Sequence, residues 1–218
     1  MASLGRVLLA FDTATPAVTV AVADGDVVLA ERSAVDARRH GELLAPTIAA
    51  VLSEAGVDRR SLTQVAVGAG PGPFTGLRIG LVTARTLGAV LDIPVVGVCT
   101  LDALALQSGL DGVFRVVTDA RRQQVYWAAY ATDGGLHRVD GPHVDAPADV
   151  VWDGAAAGPG AAMYADSFPG HCTPEHPSAS ALCGWVAGGL PLQPPDPLYL
   201  RRPDAVERDM QDARKRVL

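Results

Sequence analysis

Two aspartates occupy matching positions in the two halves of the chain. Asp12 and Asp119 each close a short apolar strand and each precede a turn. One interpretation of the two carboxylates, with Thr13 beside the first, is a functional role in binding a nucleotide. They could equally be turn residues whose side chains accept backbone N–H groups. A phosphate-binding hairpin needs glycines for close backbone approach. The turns 12–16 and 119–122 contain none, which favours the turn interpretation.

The most distinctive segment is a glycine- and proline-rich loop from Gly68 to Gly80. Such a loop at the start of a helix could cradle an anion with its backbone N–H groups. It lacks the Gly-Lys-Ser/Thr of a P-loop, and Pro71 and Pro73 remove two of the donors. We therefore expect a rigid turn that aims the helix following it.

The helix predicted over residues 77–91 is apolar on nearly all sides. Its large apolar residues point in many directions at 3.6 residues per turn, and only Arg78 and Arg85 mark a polar edge. A stripe of small residues at every fourth position would let another helix approach closely. The outer side must be covered by a second subunit, or by the second domain or first helix of this chain. We predict a partner interface that comprises Leu44, Ile48, Gly76, Leu77, Gly80, Leu81, Ala84 and Gly88.

Known catalytic and metal-binding motifs do not accompany these features. The sequence has no GxSxG and no HExxH. His171, Cys172, His176 and Cys183 could supply metal ligands, but irregular spacing in a proline-rich stretch favours an ordinary loop. We predict no metal, no catalytic residue and no cofactor. Weak binding of ATP or ADP in a cleft at Asp12, Thr13 and Asp119 stays open.

Hydrophobic patterning predicts the elements that position these residues. The patterning predicts three strands and a helix from about Glu42 to Ala55. A strand, the helix over 77–91, a further strand and another helix over about Leu101–Leu106 follow. The second half begins again with strand, aspartate, turn, strand, Asp-Gly and strand, which indicates duplication.

The expected fold class is therefore α/β with duplicated βββαβα domains. We place the N-terminal lobe, with the partner-binding helices, at residues 1–103 and a degenerate C-terminal lobe at residues 104–218. The tail from Glu207 to Leu218 mixes charges as a solvated helix does.

Composition narrows the class of protein. Of 218 residues, 49% are apolar and 19% charged, which excludes an extended disordered chain. The net charge of −6 disfavours independent nucleic-acid binding.

Three scattered cysteines without CxxC fit a reducing compartment, and the N-terminal apolar run is too short for a signal or membrane span. We expect a cytoplasmic protein that does not bind membranes.

The segment Gly70-Pro-Gly-Pro-Phe-Thr-Gly-Leu-Arg-Ile-Gly80 resembles the TsaB (YeaZ-like) family, accessory subunits in bacterial synthesis of threonylcarbamoyladenosine in tRNA. Further similarity lies at residues 9–13, at Arg39-His40, at Asp119-Ala-Arg121 and at residues 199–205. Gln124 stands where the resemblance leads us to expect Glu. The resemblance implies a two-lobed actin-like ATPase (ribonuclease H-like) fold, in whose superfamily an aspartate ending the first strand of each lobe lies near nucleotide phosphates.

The same resemblance implies that the chain is not the catalyst. The catalytic relative TsaD binds metal through HxxxH on its first helix, whereas His40 is followed four positions later by Leu44. In the family the first two helices pair with those of TsaD, TsaE joins the complex, and the same surface can form a homodimer.

We therefore expect a scaffold that binds and activates TsaD for threonylcarbamoyl transfer to N6 of adenosine at tRNA position 37, with tRNA contacted mainly by partners. On this view, Gly80→Leu or Leu81→Glu should separate the chain from TsaD and leave it folded. The alternatives are an ATP-binding kinase or ATPase, a metallopeptidase-like protein, and a homodimer of unrelated role.

Overall fold

Two five-stranded sheets organise the part of the chain that the computed structural model describes, residues 5–36 and 38–201. The first sheet contains β1 (Val7–Asp12), β2 (Ala17–Asp24), β3 (Val27–Val35), β4 (Gln64–Gly68) and β5 (Val95–Val98). The second contains β6 (Phe114–Asp119), β7 (Val125–Ala131), β8 (His137–Asp145), β9 (Ala155–Ala157) and β10 (Gly170–Cys172).

Helices join and cover these strands. They are α1 (His40–Glu54), α2 (Phe74–Leu91), α3 (Thr100–Ser108), α4 (Pro159–Met163) and α5 (Ala179–Ala187), with short 3-10 turns at Arg59–Ser61 and Pro147–Asp149. The helix predicted in the tail over 207–218, and the end of the motif at 199–205, lie outside the described residues.

The two sheets have the same topology. The strand order is β3-β2-β1-β4-β5 in the first and β8-β7-β6-β9-β10 in the second. In each sheet the first strand is antiparallel to the second and parallel to the fourth. Asp12 and Asp119 are the last residues of the two equivalent strands β1 and β6. The predicted duplication and the two-lobed actin-like fold class are confirmed.

The first sheet is buried on both faces, which explains why β1 has no polar alternation. Leu9 and Phe11 pack in a core with α1 and α2, whereas Leu8 and Ala10 pack on the other face with Leu182 and other residues of α5. A strand that meets helices on both sides must be apolar at successive positions, as residues 7–11 are.

The last helix of each lobe covers the sheet of the other lobe. From α3, Leu101 and Leu104 pack with Phe114 and Val116 of the second sheet. In exchange, α5 lies on β1, β2 and β4 of the first sheet. The boundary predicted between residues 103 and 104 falls inside α3, because that helix belongs to one lobe by sequence order and packs on the other.

Candidate functional site

Asp12 is completely buried at the end of β1. Its carboxylate accepts hydrogen bonds from the hydroxyl of Thr100 at 2.7 Å and from the backbone N–H of Ala14 at 2.6 Å. A side chain at Gly68 would collide with this carboxylate, so glycine is required there. Burial raises the pKa of Asp12 and the two hydrogen bonds oppose that rise. The carboxylate therefore serves the internal structure of the lobe.

The turn after β1 is fixed to the first turns of both outer helices. The hydroxyl of Thr13 donates to the carbonyl oxygen of Gly76 in α2 at 2.7 Å. Nε2 of His40, the first residue of α1, donates to the carbonyl oxygen of Thr15 at 2.8 Å. Leu44, one turn after His40, is buried in the core. His40 thus has a structural partner, and the next turn of α1 faces apolar side chains.

The equivalent turn in the second lobe is strained. Arg121, Arg122 and Gln123 have φ angles of 63°, 51° and 57°, a left-handed region that costs roughly 1–2 kcal/mol per residue other than glycine. Asp119 accepts a hydrogen bond from the backbone N–H of Arg121 at 2.8 Å, and its other carboxylate oxygen lies 3.5 Å from Nε of Arg121. Strain of this kind concentrates at functional sites, which makes this turn a candidate.

The four residues Ala-Gly-Pro-Gly occur at the end of the fourth strand in both lobes, at 69–72 and at 157–160. The first glycine of each set has a positive φ, 89° and 100°, which glycine adopts readily. The last glycine of each set packs against the end of the first strand of its lobe, at Ala14 and at Thr118, where a Cβ would collide with backbone. The repeat is visible in the sequence, but hydrophobic patterning is weak around the second copy and does not indicate its place in the fold.

A cavity of about 160 Å³ lies between the two lobes, beside both of these turns. Its polar lining includes Thr118, Asp119, Arg121 and His176. Within the described residues, Oγ1 of Thr118 and Nδ1 of His176 are buried and have no hydrogen-bond partner. Burial lowers the pKa of His176, so it favours the neutral ring. The cavity can therefore offer hydrogen bonds to a small molecule of mixed polarity.

Two further cavities adjoin the first through Pro73 and Arg121. One, of about 220 Å³, is lined by Thr13, Arg38, His40 and Arg121 among others. The other, of about 160 Å³, is lined by Arg121, Tyr199 and Arg201 among others. Of the three predicted cleft residues, Asp119 and Thr13 thus line cavities, whereas Asp12 lines none of these three.

Residues 193–201, which we call the strap, run beside the first lobe and reach the second. Gln193 pairs with Gly97 of β5 through two backbone hydrogen bonds of 2.8 and 3.0 Å. The backbone N–H of Leu198 donates to the carbonyl oxygen of Ala69 at 2.9 Å. Nη1 of Arg201 then donates to the carbonyl oxygen of Ala120, in the strained turn, at 2.5 Å. The strap therefore connects the first lobe, at Gly97 and Ala69, to the turn after β6 in the second lobe.

The strap also contacts exposed side chains of α2. The ring of Tyr199 stacks on that of Phe74 with 5.3 Å between centroids. Nε of Arg78 donates to the hydroxyl of Tyr199 at 2.9 Å, and the Arg78 guanidinium lies 3.8 Å from the centre of the Phe74 ring. Arg85 forms an ion pair with Asp196. The start of α2 thus presents an aromatic pair flanked by arginine.

Comparison with known proteins agrees with this fold. A family model described as "TsaD: tRNA N6-adenosine threonylcarbamoyltransferase" matches residues 28–183. A solved structure described as YeaZ from Pseudomonas aeruginosa is 30% identical, with a TM-score of 0.76 over 90% of this chain and all of that chain. The protein named TsaB in Bacillus subtilis is 35% identical over 130 residues, 59% of this chain and 57% of that protein. This chain is a TsaB/YeaZ-like member of the TsaD family.

High similarity also extends to a relative without an assigned role. An uncharacterised protein of Mycobacterium tuberculosis is 49% identical over 201 residues, which cover 91% of this TsaB-like chain and 93% of that protein. The TsaB named in Escherichia coli is 36% identical over 129 residues, 58% of this chain and 55% of that protein.

The small-residue stripe of α2 faces inward in this TsaB-like chain. A side chain on Gly80 would collide with the hydroxyl of Thr13, and one on Gly88 with the side chain of Val95. The stripe lets α2 approach its own sheet closely, so the prediction assigned it to the wrong side of the helix. All residues of the predicted interface are buried within the chain: Leu44, Ile48, Gly76, Leu77, Gly80, Leu81, Ala84 and Gly88.

The outer face of α2 carries the accessible apolar surface instead. Val82 and Val90 are 60% and 75% exposed. A Cβ on Gly41 would lie 3.7 Å from Ile79, so the start of α1 lies beside α2. By length and apolar composition alone α2 could cross a membrane, but its inner face packs on a sheet, as in the core helix of a folded domain.

Proposed function

We propose that this chain acts in tRNA threonylcarbamoyladenosine biosynthesis as a non-enzymatic scaffold in the cytoplasm. In this proposal it binds TsaD and holds it in the active arrangement for transfer of the threonylcarbamoyl group to N6 of adenosine at position 37. The pathway is supported by relatives named TsaB at 35% and 36% identity and by the TsaD family model over residues 28–183.

The exposed apolar face of α2 is the observation that carries the scaffold role. Val82 and Val90 lie eight positions apart, and Thr86 stands exposed between them. Residues spaced by about four share one face of a helix, so the two valines lie on one side. An apolar helix face bordered by arginines suits a partner helix, with Arg78 and Arg85 at its rim. The proposed partner surface is this face together with the adjoining start of α1.

The same surface would serve the other proposed associations. A second copy of this chain and TsaD would compete for the outer face of α2, since one helix face accommodates one partner. TsaE would join the complex once TsaD is bound. This arrangement makes the heterodimer and the homodimer mutually exclusive.

The polar residues at the end of β1 form hydrogen bonds with other groups of the same chain, which supports a non-catalytic role. Asp12 and Thr13 are engaged in hydrogen bonds within the lobe, and Leu44 faces the core. Among the described residues there is no group of three or more His, Cys, Asp or Glu side chains that could hold a metal ion. ATP hydrolysis by the purified chain that is lost in Asp119→Asn would favour the kinase or ATPase alternative, and chelator-sensitive peptide cleavage would favour the metallopeptidase.

The test is depletion of the chain in the bacterium that encodes it, followed by mass spectrometry of tRNA nucleosides. We expect threonylcarbamoyladenosine to fall, and the wild-type chain to restore it. The double variant Val82→Glu/Val90→Glu should fail to restore it, because two charges enter the partner surface. Val151→Glu, at a position 55% exposed in the second lobe, is the matched control and should restore it. An unchanged level of the nucleoside after depletion would contradict the proposal.

A further inference from the structure

Several arginines lie around the three adjoining cavities, although the net charge of the chain is −6. Among residues 5–36 and 38–201, Arg38, Arg121 and Arg201 line these cavities, and Asp119 is the one carboxylate that does so. Arg78 joins this group through its hydrogen bond to Tyr199. A local excess of arginine on an acidic protein indicates a surface for an anionic ligand.

The strained turn gives this face a second, independent indication of function. The turn is already closed by backbone hydrogen bonds from Ala120 to Gln124 and from Gln124 to Arg121, of 2.9 and 3.0 Å. Glycine would satisfy the same backbone conformation without strain. Arginine nevertheless occupies position 121, and this residue lines all three cavities. The strain is explained if the guanidinium is needed at that position.

Aromatic rings beside the arginines indicate which anion the face accepts. Tyr199 is 40% exposed and Phe74 is 37% exposed, although the two rings stack on each other. Exposed aromatic rings stack nucleic-acid bases, and arginine contacts phosphates with several donors at once. Arg201 donates one hydrogen bond to Ala120, and a guanidinium carries five N–H donors. Fastening of the strap does not require these side chains, because Gln193 and Leu198 already attach it through backbone bonds.

We propose that this arginine face, consisting of Arg38, Arg78, Arg121, Arg201, Phe74 and Tyr199, binds single-stranded RNA of the tRNA substrate directly. Phosphates lie against Arg121 and Arg201, and a base stacks on Tyr199. The proposal deepens the proposed function, because it gives the scaffold a substrate contact of its own and does not leave tRNA to the partners. A free mononucleotide offers the same phosphate and base, so the experiment separates the two sources.

The experiment measures fluorescence anisotropy of a labelled anticodon stem-loop RNA with the purified full chain in the absence of TsaD. We expect binding at about 50 mM salt that weakens steeply towards about 200 mM. Because TsaD is absent, a negative result would reject the RNA contact and leave the scaffold role to be judged by the depletion experiment.

Single substitutions on the arginine face test which residues contact the RNA. Arg121→Gly removes the guanidinium and relaxes the strained backbone, so it should fold at least as well as wild type and bind RNA several-fold more weakly, with the salt slope reduced by about one. Arg201→Gln should have the same effect on the slope. Tyr199→Ala should weaken binding about tenfold through lost stacking. The control is the double variant Arg59→Gln/Arg60→Gln. These two residues lie in the 3-10 turn before β4, whereas the loop near the arginine face follows β4, so the two sites lie at opposite ends of that strand.

Three results would overturn the proposal. One is the absence of RNA binding at low salt, and another is an equal loss of affinity in the Arg59/Arg60 control. The third is ATP or AMP binding that depends on Arg121 while RNA binding does not, which would assign the face to a free nucleotide.

Discussion

The hydroxyl of Thr100 donates a hydrogen bond of 2.7 Å to the buried carboxylate of Asp12. Asp12 ends the central strand of the first sheet, and Thr100 is the first residue of α3, which packs on the second sheet. The backbone N–H of Thr100 also donates to the carbonyl oxygen of Gly70 at 2.8 Å. One threonine therefore joins the two lobes at the position where the chain passes between them.

Replacement of Thr100 by valine tests this junction. The substitution keeps the shape and removes the donor, so a buried carboxylate loses a partner, and we expect a loss of about 1–3 kcal/mol in the free energy of unfolding. Thr86→Val, at an exposed position of α2 whose hydroxyl donates to Val82, is the matched control and should change stability little. Urea denaturation of both variants provides the measurement, and equal stabilities would refute the assigned role.

The buried Asp12 carboxylate should also shape the dependence of stability on pH. Burial raises its pKa above the ordinary value of 3.8. At pH values between 3.8 and the native pKa, the folded chain therefore retains a proton that the unfolded chain has lost. The resulting stabilisation is complete below pH 3.8 and is lost as pH rises through the native pKa. Asp12→Asn cannot bind this proton, so its unfolding free energy should fall less with rising pH over that window. Parallel curves from chemical denaturation across this pH range would contradict the prediction.

The two faces of α2 should respond differently to substitution. Gly80→Leu would drive a side chain into Thr13 and the sheet, so it should cost about 1–3 kcal/mol in stability or more. Val82→Glu changes an exposed position and should leave the thermal midpoint nearly unchanged while it abolishes co-elution with TsaD. Calorimetry and size-exclusion chromatography distinguish the two effects. Loss of folding in Val82→Glu would show that this face is already covered by the chain itself.

The strained turn offers a way to stabilise the protein. Gln123 has a φ of 57°, so Gln123→Gly should raise the free energy of unfolding by up to about 1 kcal/mol. Gln123→Ala keeps the strain and is the control, for which no gain is expected. Thermal denaturation measures both variants, and a gain in the alanine variant alone would argue against backbone strain.

Thiol reactivity should follow burial. Burial raises the pKa of Cys99 and of Cys183 to about 12, which suppresses the reactive thiolate. Cys172 is less buried. Titration of the native chain at mild alkaline pH with a thiol reagent should modify Cys172 and spare the other two, whereas all three should react in urea. Rapid modification of Cys99 in the folded chain would contradict its position.

Strand pattern and loop residues predicted much of the first lobe. Residues 7–11 lack polar positions because both faces of β1 are covered, and Asp12 and Asp119 do end equivalent strands. The second lobe is less predictable from sequence, because β9 and β10 contain three residues each, too few for alternation to be visible. The strap has no periodicity at all, since it is held mainly by backbone bonds to Gly97 and Ala69.

The candidate site illustrates a different limit. Helical periodicity shows that Gly76, Gly80, Ala84 and Gly88 share one face of α2, but it does not say whether a sheet or a partner meets that face. The close approach of Gly80 to Thr13 shows that this face meets the first sheet, and Thr13 is distant from α2 in sequence. The strain at Arg121 is likewise not predictable from the sequence, because no glycine in this turn indicates a left-handed backbone conformation.

The exchange of α3 and α5 between the lobes bears on how such a molecule arose. An ancestor of half the length, folded alone, would have left Leu8, Ala10 and Ala66 bare where Leu182 and Trp185 now lie. A chain of that length would therefore need a second copy of itself to cover this face, and its stability would depend on protein concentration. With both halves in one chain, the same burial is intramolecular and does not depend on concentration.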